Sequence, residues 1–198
     1  MPDVDGKGLR GGRGKSGLPL ELPGHDFSLL VSAVEIKKTL VRHLKILFVS
    51  LQLDFAIQKL GRQGLEVVVF GEASDELRLK YPEVIFLGHI PNDDRAPLYS
   101  GAECLVYASL YEGFGLPILE AFACGTPVVT SNLSSTGEVA GGAAVLVDPN
   151  DVNSIKEGIE SVLRGPKAYI EKGYRRVKDF SWEKTAQMTL DEYNEFKQ

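Results

Sequence analysis

From residue 27 onward, apolar runs of strand length alternate with segments of helical periodicity. The runs are rich in Val, Ile, Leu and Phe and lack polar alternation, which is typical of strands buried on both faces of a parallel sheet. The predicted strands are 29–34, 66–71, 84–90, 104–109, 127–131 and 143–148. Because strands and helices alternate with short links, the sequence predicts a doubly wound, Rossmann-like α/β fold with a parallel sheet of about six strands.

Helices are predicted between these strands. The candidates are 55–63, 74–81, 93–101, 117–124 and 151–164, followed by a C-terminal pair from 167 to about 196. Asp151 fits the N-cap of its helix. Helical spacing also relates Leu40, Leu44, Leu47 and Phe48. We expect a helix there, although the string ILFVSL within this segment fits a strand equally well.

Charge and composition exclude several classes of protein. The chain has 198 residues, with 22 Lys and Arg against 27 Asp and Glu, and its net charge of -5 argues against a nucleic-acid partner. No apolar run reaches the length of a membrane-spanning helix, and no signal peptide begins the sequence, so we expect a cytoplasmic protein without a transmembrane segment. Cys104 and Cys124 lie in apolar elements and are predicted to be reduced, buried thiols.

Residues 1–26 contain seven glycines and almost no apolar periodicity, so we expect a disordered tail before one folded domain over 27–198. The strings GKGLRG and GKS in this tail resemble phosphate-binding motifs. Such motifs bind phosphate only between a buried strand and the start of a helix, and the tail has no such strand. Asp3 and Asp5 lie in the same tail, and we predict no metal site from them.

The segment that precedes the predicted helix 117–124 has the composition of an anion site. Gly113 and Gly115 follow a predicted strand, and Pro117 fits the first turn of the helix. In doubly wound sheets, ligands bind beyond the carboxyl ends of the strands. Because a helix N-terminus attracts anions and glycines allow close approach to the main chain, we expect a phosphate to bind there.

Two carboxylates flank this segment, Glu112 before it and Glu120 within the helix. Carboxylates accept paired hydrogen bonds from vicinal hydroxyls, so hydroxyls on both sides of a diphosphate indicate a nucleotide sugar. In the alternative interpretation, Glu112 caps the helix and Glu120 is a solvated surface residue. The apolar string LPILEAFACG favours a buried helix on which Glu120 needs a partner, and a ligand is the partner we consider.

The strings SLYEGFGLPILEAFACGTPVVTSN and GEVAGGAAVLVDPNDVNSI resemble a known family. They are similar to the C-terminal, donor-binding domain of retaining GT-B glycosyltransferases of family 4, the group 1 type, and to its mannosyltransferase-like branch. The similarity is dense over 66–163 and looser over 27–64. It implies a single GT-B half domain.

The resemblance assigns roles to matching positions. It implies that Glu112 contacts the donor sugar and acts in catalysis, and that Glu120 holds the ribose hydroxyls. The segment whose backbone meets the sugar and diphosphate consists of Gly113, Phe114, Gly115 and Leu116.

Two further strings carry implied ligand contacts. LGHIP resembles the loop that borders the base and contains His89 and Ile90, although a packing role for His89 in the core or the loop is an equal alternative. VSAVEIKKTL resembles the family's first strand and basic phosphate loop, which implies that Lys37 binds the donor and that Lys38 stabilises the leaving diphosphate. A solvated lysine pair is the alternative.

The sequence departs from the family pattern in two places. Ser32 and Ala33 stand where glycine and often arginine occur, so one phosphate contact is expected to be missing. Gly137 stands where proline usually precedes the residue matching Glu138, and we expect a loosened loop there.

The predicted function is transfer of a sugar from a nucleotide diphosphate sugar, such as GDP-mannose or a UDP-sugar, to an acceptor with retention. No metal or other cofactor is expected. The resemblance implies an N-terminal acceptor-binding domain as partner, or a homo-oligomer, and an exposed apolar strip on the final helix pair. Without that domain, the half described by this sequence is not expected to be fully active.

Two alternatives remain. One is a non-catalytic module that binds nucleotide sugars. The other is an epimerase-like or phosphorylase-like enzyme of the same fold. The Glu-x7-Glu spacing argues against the epimerase, and the absence of a lysine motif suited to pyridoxal phosphate argues against the phosphorylase.

Overall fold

The computed structural model describes residues 45–48 and 66–196 of the chain. Several predicted features fall outside these residues. They are the tail 1–26, the strand 29–34, the helix 55–63, the departures Ser32 and Ala33, and the pair Lys37 and Lys38.

The described strands form one parallel sheet in the order β3-β2-β1-β4-β5-β6. They are β1 (Lys45–Phe48), β2 (Glu66–Phe70), β3 (Ile85–Gly88), β4 (Cys104–Tyr107), β5 (Val128–Ser131) and β6 (Val145–Val147). The strand order reverses between β1 and β4, which is the point where open α/β sheets bind their ligands.

Strands β2 to β6 lie where the sequence predicts them, each slightly shorter than predicted. The helical interpretation of the segment around Leu44 and Phe48 is wrong for Lys45–Phe48, which is the central strand β1. A short apolar run carries no period that separates a strand from a buried helix.

The helices of the described residues alternate with the strands. They are α1 (Asp75–Lys80), α2 (Asn92–Ser100), α3 (Leu116–Ala123), α4 (Ser134–Ala140), α5 (Val152–Arg164), α6 (Pro166–Arg176) and α7 (Trp182–Glu195), with a 3-10 turn at Val177–Asp179. The predicted cap of α5 is confirmed, because the side chain of Asp151 accepts a hydrogen bond from the Asn153 amide at 2.9 Å.

Helix α4 departs from the prediction. The sequence indicates a loosened loop at Gly137, but Gly137 lies inside α4 and its carbonyl accepts a hydrogen bond from the Gly141 amide at 3.2 Å. Ser, Thr and Gly have low helix propensity, so the helix has no local signal. It ends at Ala140 and is capped by Gly141, whose φ of 53° is the left-handed conformation typical of the residue after a helix.

Apolar layers cover both faces of the sheet. Val67 and Val69 of β2 point to one layer and Val68 to the other, as expected from the two-residue repeat of a strand. Helix α5 supplies the first layer, and helices α2 and α3 supply the second. The tip of α3 is therefore held at the carboxyl edge of the sheet by packing along its length.

Helix α7 differs from the others, because none of its residues is buried. The predicted exposed apolar strip is confirmed on this helix and just after it, at Trp182, Met188, Leu190, Tyr193 and Phe196. Among the described helices, none combines the length and apolar character needed to cross a membrane.

Candidate functional site

The loop between β4 and α3 lies at the switch point of the sheet. Gly115 is the N-cap of α3 and has φ 109°, a left-handed conformation that favours glycine. A Cβ on Gly115 would lie 3.2 Å from Ile118 Cδ1 and 3.7 Å from Thr136 Cγ2. Helix α3 begins at Leu116, so Phe114 to Leu116 lie at the helix N-terminus, as the sequence predicts.

Two serines at the start of α4 hold the backbone of this loop. Ser134 Oγ accepts a hydrogen bond from the Glu112 amide at 3.0 Å and donates to the Glu112 carbonyl at 2.9 Å. Ser135 Oγ donates to the carbonyls of Glu112 at 2.9 Å and Phe114 at 3.0 Å. The main chain around Glu112 is therefore tied to a neighbouring helix.

Ser134 itself has a strained backbone. Its φ of 54° is the one positive value at a non-glycine residue in the described part of the chain. Such conformations cost about 1–3 kcal/mol and concentrate at functional sites. The strained residue is therefore the one whose side chain hydrogen-bonds both the amide and the carbonyl of Glu112.

Glu120 has two partners within the chain. The Tyr99 hydroxyl donates to Glu120 Oε2 at 2.7 Å, and Arg95 Nη1 donates to Oε1 at 3.2 Å. Arg95 and Tyr99 are four residues apart on α2 and so lie on the same face of that helix. The sequence correctly indicates that Glu120 needs a partner but does not identify these two, and the interpretation as a simple solvated surface residue is wrong.

The pKa of the Tyr107 hydroxyl depends on both carboxylates. Burial raises the pKa of Tyr107 far above its usual range, and the neighbouring Glu112 carboxylate raises this pKa further. The charge of Glu120 also raises the pKa of Tyr107. Both carboxylates therefore contribute to the electrostatic environment of the Tyr107 hydroxyl.

His89 and Ile90 follow β3 at the same edge of the sheet. His89 is exposed and Ile90 is half-buried, so the alternative that places His89 in the core is wrong. Helix α2, which carries the partners of Glu120, begins at Asn92. This connection joins the predicted base-binding loop to the helix that orients Glu120.

The side chain of Phe114, just before α3, contacts the C-terminal part of the chain. Phe114 is half-exposed and packs edge-to-face on Phe180, with ring centroids 5.8 Å apart. The Arg176 guanidinium lies over the Phe180 ring at 4.7 Å and donates hydrogen bonds to the carbonyls of Glu138 and Val139 at 2.8 and 3.0 Å. No motif in the sequence identifies Phe180 or Arg176 as part of this region.

The thiols and metal-ligating groups add little to this site. Cys104 is buried and Cys124 is half-buried, both as free thiols, and burial raises the pKa of Cys104 to about 12. Over 45–48 and 66–196, no three His, Cys, Asp or Glu side chains come together in a group that could hold a metal ion.

A parallel sheet whose strand order reverses beside a glycine-capped helix tip defines the doubly wound class of α/β fold. Residues 35–176 match the family described as glycosyl transferases group 1. The chain belongs to this family.

Relatives of known activity support this assignment. The chain is 34% identical over 179 residues to O-antigen chain mannosyltransferase B of Escherichia coli, which covers 87% of this chain and 47% of that protein. It is 37% identical over 114 residues to the glycogen synthase of Mycobacterium tuberculosis, covering 54% of this chain and 28% of that enzyme. The chain thus spans about half or less of the length of these relatives.

Solved structures agree on the fold. The C-terminal domain of the group 1 family protein LpcC from Francisella tularensis is 25% identical, with a TM-score of 0.58, covering 69% of this chain and 85% of that one. Anabaena HepE in complex with UDP and glucose is 18% identical, with a TM-score of 0.70, covering 84% of this chain and 52% of that one. These neighbours confirm an α/β fold of the GT-B type.

Proposed function

We propose that this chain is the donor-binding domain of a retaining glycosyltransferase of family 4 that uses a nucleotide diphosphate sugar. The observation that carries the proposal is the glycine-capped N-terminus of α3 at the switch point of the sheet, with Glu112 just before it and Glu120 one turn inside the helix. Membership of the group 1 family supports transfer as the reaction class.

In the proposed complex, the ligand lies along the carboxyl ends of the strands. Its diphosphate meets the backbone of 113–116 at the tip of α3, where amide groups and the helix dipole favour negative charge. Glu120 accepts the ribose hydroxyls, and Glu112 accepts hydroxyls of the transferred sugar. His89 and Ile90 border the base.

The chemistry needs charge stabilisation at two places. As the bond between the anomeric carbon and the diphosphate oxygen breaks, the diphosphate gains negative charge and the sugar ring gains positive charge. The helix tip, Lys37 and Lys38 stabilise the departing diphosphate, and the Glu112 carboxylate stabilises the sugar. We propose retention at the anomeric carbon and no requirement for a metal ion.

The identity of the donor is part of the proposal. A mannosyltransferase among the relatives favours GDP-mannose, while the neighbour solved with UDP and glucose favours a UDP-sugar. We also propose that a second domain binds the acceptor across the cleft, because the chain spans 47% of the mannosyltransferase relative. The second candidate is a module that binds nucleotide sugars without transferring them, since the glycine-capped helix tip and the two acids suit ligand binding whether or not transfer follows.

Calorimetric titration of the full chain with GDP, UDP and ADP tests the binding step and identifies the base. One nucleotide is expected to bind at least about tenfold more tightly than the others, a difference of about 1.4 kcal/mol. The corresponding nucleotide sugar should then bind at the same site. Transfer to an added acceptor supports the enzyme, tight binding without transfer supports the module, and no binding of any nucleotide contradicts both.

A further inference from the structure

Helix α2 presents two hydrogen-bond donors to the carboxylate of Glu120. A carboxylate has about four acceptor sites, two on each oxygen. Tyr99 occupies a site on Oε2 and Arg95 occupies a site on Oε1. One site on each oxygen is left, and the Glu120 side chain retains 33% exposure through which a ligand can reach them.

The two donors are not equivalent. The Tyr99 bond of 2.7 Å is at the length of a charge-assisted O–H···O⁻ hydrogen bond. Arg95 contacts Glu120 through one nitrogen at 3.2 Å, its side chain is 38% exposed, and its Nε is buried without a hydrogen-bond partner in the described structure. A contact through a single nitrogen lacks the geometric precision of a two-nitrogen fork. Tyr99 is therefore the donor with the better-defined geometry.

The rest of Tyr99 is fixed in the core. The residue is buried, its ring packs edge-to-face on Phe70 with centroids 5.9 Å apart, and its carbonyl accepts a hydrogen bond from Thr126 Oγ1 at 2.6 Å. Burial and the neighbouring Glu120 charge raise the pKa of Tyr99 far above its usual range, so its hydroxyl remains a donor. The hydroxyl is thus a fixed point against which Glu120 is oriented.

We propose that Tyr99 is a positioning residue that holds the Glu120 carboxylate with one free acceptor site on each oxygen, ready for the two vicinal hydroxyls of a ribose. The inference rests on the proposed function of Glu120. It assigns the preference for ribose over deoxyribose to a tyrosine that does not touch the nucleotide.

The test compares the preferred nucleoside diphosphate with its 2′-deoxy analogue by calorimetry, using the full chain and Tyr99→Phe. The wild-type chain should bind the ribonucleotide at least about tenfold more tightly, as expected for a hydrogen bond to a charged group. In Tyr99→Phe this preference should fall to about twofold or less, while affinity for the deoxy analogue changes by less than about twofold. Tyr81→Phe is the matched control, because Tyr81 is also buried but belongs to the opposite apolar layer, and it should keep the full preference.

A double-mutant cycle adds a readout that a merely structural role would not produce. On a Glu120→Gln background, where the preference is already lost, Tyr99→Phe should cause no further change, because the two residues act as a unit. An additive effect in the double variant overturns the inference even if Tyr99→Phe is destabilised. This second arm also compares thermal unfolding of all four proteins.

The outcomes separate the two proposals. If the wild-type chain prefers the ribonucleotide and Tyr99→Phe keeps that preference, the positioning role is overturned and the proposed function survives. If the wild-type chain binds both nucleotides equally, the assignment of Glu120 to the ribose fails and the inference fails with it. If it binds neither, the proposed function itself is contradicted.

Discussion

Helices α3 and α7 both carry many apolar residues, yet they differ in what those residues contact. In α3, Ile118, Ala121 and Phe122 are buried, while no residue of α7 is buried and Trp182 is 70% exposed. Hydrophobic composition alone does not determine burial, since a partner surface is needed as well. The comparison shows why α3 can hold a ligand site: its tip is fixed by packing along the helix.

The largest difference should appear when an aromatic side chain is removed from each helix. Phe122→Ala is expected to lower the free energy of unfolding by about 3–5 kcal/mol, because it removes a buried ring and leaves a cavity. Trp182→Ala, the matched change in α7, should alter it by no more than about 0.5 kcal/mol. Urea unfolding measures both free energies. Equal losses in the two variants would contradict the difference in burial between α3 and α7.

A smaller effect is expected where α6 packs on α3. A Cβ on Gly173 would lie 2.7 Å from Phe122 Cδ1, and Phe122 is buried, so Gly173→Ala should cost about 1–3 kcal/mol by overpacking. Gly165→Ala is the control, because nothing lies within 4 Å of the position that a Cβ on Gly165 would occupy. Unfolding curves that leave Gly173→Ala as stable as the control would mean that α6 does not hold α3 as described.

Phe180 connects the tip of α3 to the segment that leads into α7. Phe180→Ala removes the edge-to-face contact with Phe114 and is expected to cost about 0.5–1.5 kcal/mol beyond the lost burial. Because Phe114 lies at the proposed diphosphate segment, nucleotide affinity should also fall several-fold. Tyr193→Ala in exposed α7 serves as the control, and identical nucleotide affinity in the two variants would argue against this connection.

The smallest effect is expected within α7 itself. Leu190→Ser should change the free energy of unfolding by no more than about 0.5 kcal/mol, because Leu190 is half-exposed and no residue of the helix is buried. Chemical denaturation checks the value. A loss of several times this amount would show that α7 packs against another surface in solution.

The contrast between α5 and α4 shows how far the fold follows from local sequence. Helix α5 combines an Asp151 cap with a clear apolar period, and its bounds agree with the prediction almost to the residue. Helix α4 has neither signal and depends on its place after β5, so local propensity could not reveal it. The sequence leaves strand β1 open between helix and strand for a related reason, since the apolar run Ile46, Leu47 and Phe48 fits either structure.

The site shows the same limit. The sequence predicts the helix tip, Gly115 and the two acids because they lie close together in the chain and combine residue types that suit anions and hydroxyls. Arg95 and Tyr99 stand 25 and 21 residues from Glu120, and Ser134 stands 22 residues from Glu112. Such contacts are set by the packing of α2 and α4 against α3, which no local pattern encodes.

The most direct measurement of the central claim is calorimetric binding of one nucleoside diphosphate and its sugar conjugate to Glu120→Ala and Glu112→Ala. Glu120→Ala should weaken the binding of the nucleoside diphosphate by about tenfold or more, because hydrogen bonds to a charged group are lost. Glu112→Ala should bind the nucleoside diphosphate as the wild-type chain does and lose only the added affinity of the sugar. Unchanged binding of both ligands by both variants would contradict the account.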